Sequence, residues 1–409
     1  MKVSVIIPVF NVEKYIDKCL DSIVNQTLAD IEIICIDDCG TDNSIRIVEN
    51  YALKDERITI IYNSKNRGLS TSRNLGLQIA QGKYVYFLDS DDYLEENALE
   101  DLYNISEKNQ TEVLYFDTDV MNLGHYENGC NGYEPPAYSK NQKIQSGQAL
   151  FSNAIINNTW DTCVWRQFYL KEFLMKNNIR FADGLAHEDW SFSFETAMLA
   201  TRVMYVPLKL HMYVRRENSI TDRTNWHRLV SLMKIFVIMH SIWNKIECPD
   251  YVHNCVIMHL DNLKEYIQQN YKKIPYIEDN INIRDNQLLK YFVPQYYEGY
   301  YYYKLPSNQM MEILKYQRVA IYGAAELGTQ LYYMLTDIGV EIETFLVTDK
   351  VEHDSIENIP VNIISKYDES LKNQGLILIA VRKSYDIMRD YAEKLGFKNI
   401  LIVKTKKED

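Results

Sequence analysis

No uninterrupted apolar run in the 409-residue chain approaches the roughly 20 residues that a spanning helix needs. The opening MKVSVIIPVF is too short, and turns polar too soon, for a secretory signal. The expected location is therefore cytoplasmic. An excess of basic charge is also missing: 44 Lys and Arg stand against 56 Asp and Glu, for a formal net charge of −12. Such a chain repels a phosphate backbone, which argues against nucleic acid as a partner. No strong Lys and Arg face is present to anchor the chain on anionic lipid, so a peripheral seat at the inner face of a membrane stays a secondary expectation. Paired cysteines are absent as well. The seven present lie at 19, 35, 39, 130, 163, 248 and 255, without C-x-x-C or accompanying histidine spacing. They read as reduced core or helix-face thiols, with no structural zinc.

What is present is enough apolar residue, 46%, and enough length for two or three domains. From Lys2 short apolar strands alternate with amphipathic helices: KVSVIIPVF, a helix over about 12–24, IEIICID, a helix over about 43–53, ITIIY, a helix over about 71–80 and KYVYFL. That order predicts an α/β fold with a mostly parallel sheet covered on both faces. Ligands of such sheets sit beyond the carboxyl ends of the strands. After Thr118 the pattern dissolves into a Gly-, Asn-, Pro- and Tyr-rich stretch, read as a surface loop in preference to an active-site flap. Helical spacing over 226–315 suggests a connector, with the tyrosines of YFVPQYYEGYYYYK as packing groups. Alternation restarts at Gln317 and predicts a second, smaller α/β domain over 316–409.

The polar clusters fall at strand ends. YFLDSDDYL drives a buried strand into Asp89, Asp91 and Asp92. Asp89 and Asp91 can turn toward one point and share a hard divalent cation, whose other positions go to water and phosphate oxygens. The plainer reading has the acidic run opening the next helix, which suits Asp92. Pro8-Val9-Phe10-Asn11 ends the first strand, Asp37-Asp38-Cys39-Gly40-Thr41-Asp42 the second, and Asn66-Arg67-Gly68 through Arg73-Asn74 follows the third.

In order and spacing these four stretches resemble the family 2 glycosyltransferases, whose patterns read P-V-Y-N, D-D-G-S-x-D-x-S, N-x-G-x-x-x-x-R-N and F-x-D-x-D-D. Phe10 replaces the usual Tyr, and Cys39-Gly40 replaces Gly-Ser. The resemblance covers residues 1 to about 225 and implies a Rossmann-like nucleotide-sugar fold, called GT-A, as the catalytic domain. It also implies an inverting, metal-dependent hexosyltransferase that uses a UDP-sugar donor and a hydroxyl of a cell-surface glycan or lipid-linked acceptor.

Within that resemblance Pro8, Val9 and Phe10 border the uracil, and Asp38 accepts from its ring N–H, the alternative being a helix cap. Asn66, Gly68 and Arg73 line the nucleotide pocket, although Arg73 could equally brace Asp89. Asp91 is the direct ligand of Mg²⁺ or Mn²⁺, and Asp89 lies nearer the ribose and the metal. In GLAHEDWSF, Asp189 is the general base, with Glu188 and His187 as orienting or acceptor-contacting neighbours. A free Asp near pKa 3.9 is a weak base, so burial or a neighbouring charge has to raise it. Arg216, with Arg215, either neutralises diphosphate oxygens or belongs to a solvated charge run. Trp165 stands where similar proteins place an acceptor-site aromatic, and its plainer reading is core.

The tail carries Gly323-Ala324-Ala325-Glu326-Leu327-Gly328 after VAIY, with Asp349 further on. This G-x-A-x-x-G pattern suits a dinucleotide site, but Ala325 stands where a glycine lets pyrophosphate approach. An accessory domain for protein contacts or oligomerisation is the favoured reading. The rival functions are a nicotinamide-dependent oxidoreductase centred on the tail and a catalytically silent scaffold.

Overall fold

Successive residues of a strand face opposite sides of a sheet, and the first strand is apolar on both. In a computed structural model, β1 (Val3–Val9) sends Val3, Val5 and Ile7 into one core and Ile6 into another. The same split recurs in β2 (Ile31–Asp37), where Ile33 and Cys35 oppose Ile34 and Ile36. In β4 (Tyr84–Phe87), Tyr84 and Tyr86 oppose Val85 and Phe87. Continuous apolar strands of this kind form where helices cover both faces. The structure describes residues 1–123, 142–216, 226–271, 307–336, 340–351, 354–367, 369–381 and 384–403, together with Leu288 and Phe292.

The described residues fall into two compact units, Met1–Ser231 with Ile246–Val256, and Leu232–Lys245 with Ile257–Asp409. The helical stretch after residue 225 is thus divided between them. In the first unit, β3 (Ile58–Tyr62), β5 (Tyr93–Leu94), β6 (Val113–Leu123), β7 (Gln167–Leu170) and β8 (Val203–Arg216) complete a sheet of order β3-β2-β1-β4-β7-β6-β8-β5. The β3-β2-β1-β4 portion is parallel, as expected. Beyond it β7 runs antiparallel to both β4 and β6, while β6 and β8 pair in parallel. This is the α/β, GT-A type of sheet that the sequence implied.

Helices α1 (Ile16–Val24), α2 (Ser44–Ala52) and α4 (Ala98–Asn109) pack on the first core. On the second lie α3 (Leu69–Ile79), α6 (Lys171–Lys176) and α7 (Glu188–Leu199). Between β7 and α5 (Gly147–Ile156) the chain passes through a short 3-10 turn, Val164–Arg166. Two long helices follow, α8 (Trp226–Trp243) and α9 (Asp250–Tyr271). No helix among the described residues is long and apolar enough to cross a membrane. Among them the six cysteines are free. Most of the Gly- and Asn-rich stretch after Leu123 and most of the Tyr-rich stretch before Ser307 lie outside the described residues.

The second unit builds its own sheet from β9 (Val319–Tyr322), β10 (Ile342–Val347), β11 (Ser355–Ile356), β12 (Ile359–Ile363), β13 (Leu376–Ile379) and β14 (Ile400–Ile402). Their order is β11-β12-β10-β9-β13-β14, parallel except for the β11–β12 hairpin. The Gly323 turn leads from β9 into a helix over Glu326–Thr336. A side chain at Gly328 would stand 1.7 Å from the Gly323 carbonyl oxygen, so only glycine lets this helix pack so close to the strand. Asp349 is exposed just past β10. The second unit is therefore the smaller Rossmann-like sheet that the sequence pattern suggested.

Candidate active site

At the carboxyl end of β1 and β2 the loops are joined by hydrogen bonds. Asp38 N–H donates to the Val9 carbonyl at 3.0 Å, and Asn11, at φ 53°, accepts from Thr41 N–H at 2.7 Å. Pro8 and Val9 are buried, while Phe10 stands 43% exposed at the rim. Asp38 is buried, and its carboxylate accepts from Asn63 Nδ2 at 2.9 Å, Arg67 N–H at 2.7 Å and Gly68 N–H at 2.9 Å. A carboxylate has about four lone-pair sites, so Asp38 anchors the 66–68 loop and retains limited capacity toward a ligand. It does not cap α2. Asp42 meets that need, its Oδ1 accepting from Ser44 N–H at 3.0 Å.

The same loop shows why glycine stands at 68. Its φ of 84° lies in the region that L side chains rarely adopt, and this turn starts α3. Asn66 is exposed and accepts from Gly68 N–H at 3.1 Å. One turn into α3, Arg73 is 2% exposed. Its Nη2 donates to Asp89 Oδ1 at 2.6 Å, and its Nη1 donates to Glu188 Oε1. The guanidinium also lies over the Phe181 ring, 5.3 Å from its centroid. Of the two roles open to it from sequence, the bracing of Asp89 is the one on view.

Asp89 and Asp91 both occupy the turn after β4 and keep partial exposure. Asp89 spends one oxygen on Arg73 and has a second. Two carboxylates with access to solvent are the donor set that Mg²⁺ or Mn²⁺ takes when phosphate and water fill its other positions. Among the described residues no group of three or more His, Cys, Asp or Glu is placed to hold an ion unaided. The residues present thus fit a shared metal and do not form a closed cage.

Asp92 departs from expectation. It does not open the following helix, because Tyr93–Leu94 pairs with β8 and α4 starts only at Ala98. Its carboxylate is 1% exposed and accepts from Val214 N–H at 2.7 Å, with His211 Nε2 3.3 Å from the other oxygen. Burial, helped by the charge of Arg166, pushes His211 down to about 3 and keeps it neutral.

Trp165 also requires correction. The ring is 7% exposed and stacks on His211 and Tyr213, at 4.5 and 5.1 Å between centroids, and its carbonyl accepts from Tyr86 O–H at 2.7 Å. It is a core ring and not an open platform for a sugar face. Trp165→Ala should therefore cost about 3–5 kcal/mol of stability, read as a shift of the urea midpoint. A selective loss of acceptor affinity at unchanged stability would contradict this placement.

At the other side of Arg73, α7 begins at Glu188 with His187 as its cap, at φ 61°. Glu188 is buried and Asp189 half-buried. Desolvation, then the charge of Glu188, pushes the Asp189 carboxyl well above the usual range; Arg73 pulls the other way. His187 accepts at Nε2 from Arg228, and burial together with that cation lowers it to about 4. Arg216 is the last residue of β8, paired in the backbone with Leu123. Its side chain, like Ser219 after it, lies outside the described residues.

Sequence reading missed three groups. Asn63, one residue past β3, supports Asp38. Arg166, fully buried, links Asp161 at 2.5 Å to Asp117 at 3.0 Å. Arg228 reaches back 41 residues to His187. Asn63 and Arg228 carried no local signal, since their partners lie 25 and 41 residues away, and Arg166 meets Asp117 across 49 residues although Asp161 is only five away.

Comparison with known proteins agrees with this geometry. Residues 4–161 match the family model described as glycosyl transferase family 2. The chain is 34% identical over 226 residues to glycosyltransferase EpsJ of Bacillus subtilis, an overlap that covers 54% of this chain and 63% of that protein. It is 30% identical over 227 residues to glycosyltransferase GlyG of Streptococcus pneumoniae, covering 53% and 72% respectively. Identity rises to 46% over 207 residues with the poly(ribitol-phosphate) beta-glucosyltransferase of Bacillus spizizenii, covering 50% and only 30%. Against EpsJ the overlap thus falls short of two thirds of the relative's length. Among solved structures, S. aureus TarS 1-349 in complex with UDP-GlcNAc shares the fold at 19% identity, with a TM-score of 0.56 over 83% of this chain and 88% of that one. With the ordered motifs, the sheet and the overlap with GlyG all in agreement, the chain belongs to the family 2 glycosyltransferases.

Proposed function

We propose that the first unit transfers a hexose from a UDP-sugar, with inversion, to a hydroxyl of a cell-surface glycan or a lipid-linked precursor. The observation that carries this reading is the Arg73 bridge. One buried guanidinium joins Asp89, at the end of the strand implicated in donor binding, to Glu188, the neighbour of the proposed base. This bridge supports a reading in which donor and acceptor chemistry lie side by side.

In the proposed reaction the acceptor oxygen attacks the anomeric carbon, and its proton passes to the Asp189 carboxylate. The bond from the anomeric carbon to the β-phosphate oxygen breaks, and UDP departs with the electron pair. A single displacement inverts the centre, and burial with the Glu188 charge raises Asp189, the direction that a base for such a step requires. Asp91 and Asp89 would hold the divalent cation, which when bound supplies positive charge to the departing diphosphate. His187 and Glu188 orient the base, while Pro8, Val9, Phe10, Asp38, Asn66 and Gly68 frame the nucleotide. The UDP-GlcNAc complex of TarS supports a uridine donor. The name of the Bacillus spizizenii relative supports a poly(ribitol-phosphate) among the acceptors to be tried first.

Mass-spectrometric detection of nucleoside diphosphate released from a panel of nucleotide sugars tests the donor class. UDP-hexoses should be consumed, whereas turnover confined to non-uridine donors would overturn the reading. Stripping the chain with a chelator, or Asp91→Asn, should lower transfer by at least about 10²-fold, with Mn²⁺ or Mg²⁺ restoring the stripped chain only. Undiminished turnover in both would remove the cation from the scheme.

A further inference from the structure

The first turn of α8 belongs to the same compact unit as the site, and it grips the segment leading into α7 at three points. His227 Nε2 lies 3.3 Å from the Gly184 carbonyl oxygen. Ser231 Oγ accepts from Ala186 N–H at 3.0 Å and donates to the His227 carbonyl at 2.8 Å. Between them Arg228 sets Nη2 at 2.8 Å and Nε at 3.1 Å from His187 Nε2. The residue so held is the one that needs holding. His187 sits at φ 61°, a backbone state costing about 1–2 kcal/mol for a residue with a Cβ, and Glu188 and Asp189 follow it directly.

We propose that Arg228 is a positioning residue for transfer: through His187 it locks the turn that launches Glu188 and Asp189. This rests on the reading of Asp189 as that base. Two donors from one guanidinium into one ring nitrogen make Nε2 an acceptor, so the ring proton resides on Nδ1. The charge facing the ring from α8 is that of Arg228, and from its own helix comes the Trp190 ring, 5.7 Å between centroids. Were the imidazole to become cationic, its field would favour the ionised carboxylate and weaken Asp189 as a base. Arg228 opposes that outcome electrostatically as well as by geometry.

The test uses the full chain with Arg228→Gln and Arg228→Lys. His187, followed by ring NMR, should titrate near 4 in the parent and higher in Arg228→Gln, where burial, the larger cause, still holds it below its ordinary value. In that variant kcat should fall about 10–100-fold while KM for the UDP-sugar changes by less than about twofold. Arg228→Lys keeps the charge without the fork and should recover part of kcat. Parental kcat in Arg228→Gln, or an unmoved His187 titration, would overturn the role of Arg228. So would a lowered melting temperature with unchanged kcat in the folded fraction. Absence of transfer by the parent itself would overturn the reading of Asp189, a failure distinct from the first.

Discussion

Asp189→Asn should lower transfer by about 10²–10⁴-fold, the range that a positioned general base contributes, while UDP binds as before. The substitution keeps the side chain's shape and removes its capacity to take a proton. The pH profile provides the second signature. An ordinary aspartate would be ionised throughout neutral pH and would give no limb there. Burial and the neighbouring Glu188 charge push Asp189 well above that range, so the active, deprotonated form accumulates only as pH rises through the raised value. The parent's kcat/KM should therefore climb with pH on its acid side, above the ordinary carboxylate range, and the residual rate of Asp189→Asn should lose that limb. A variant that keeps both its rate and its limb would remove Asp189 from the chemistry.

Arg73→Ala should destabilise the first unit by about 3–5 kcal/mol, the cost of leaving buried charge unpaired. The arginine side chain is 3% exposed and its partner Glu188 8%, against 27% for Asp89. Most of the penalty therefore falls on Glu188, which keeps little access to water once its cation is gone. Urea unfolding gives the value through the midpoint at constant slope. Arg73→Lys should recover only part of the loss, since an ammonium cannot present two donors in one plane to two carboxylates. Replacing both Arg73 and Glu188 by apolar residues should cost less than Arg73→Ala alone. If the double replacement costs as much, the Arg73 contribution lies in its packing on Phe181.

Much of the sheet was legible because both-face burial leaves continuous apolar strands, and β1 through β4 with their intervening helices follow that pattern within a few residues. The first helix starts at Ile16 and not near Val12, because residues 13–15 form a turn in which Tyr15 N–H reaches the Val12 carbonyl. The antiparallel insertion of β7 was not legible: QFYL is short, and its direction depends on two neighbours remote in sequence. Within the site, spacing and order singled out Asp89, Glu188 and Asp189, and the structure gathers them around Arg73. Arg73 was singled out too, and its contact with Asp89 is seen only in three dimensions. Asp92 and Trp165 misled for one reason. Local composition proposes a helix cap for Asp92 and the family resemblance an acceptor-site ring for Trp165, whereas β8 arrives about 120 residues after Asp92 and takes it up at Val214, and covers Trp165 with His211 and Tyr213.

The central claim is that one charged network joins a uridine diphosphate-sugar site to a single proton acceptor. Titrating UDP calorimetrically into the parent and Asp189→Asn, and then following UDP release from a UDP-hexose with acceptor and Mn²⁺ in the same samples, tests it most directly. The prediction is equal UDP binding by both, with release at speed only by the parent. Release at the parental rate by Asp189→Asn, or a parent that binds no UDP, would contradict it.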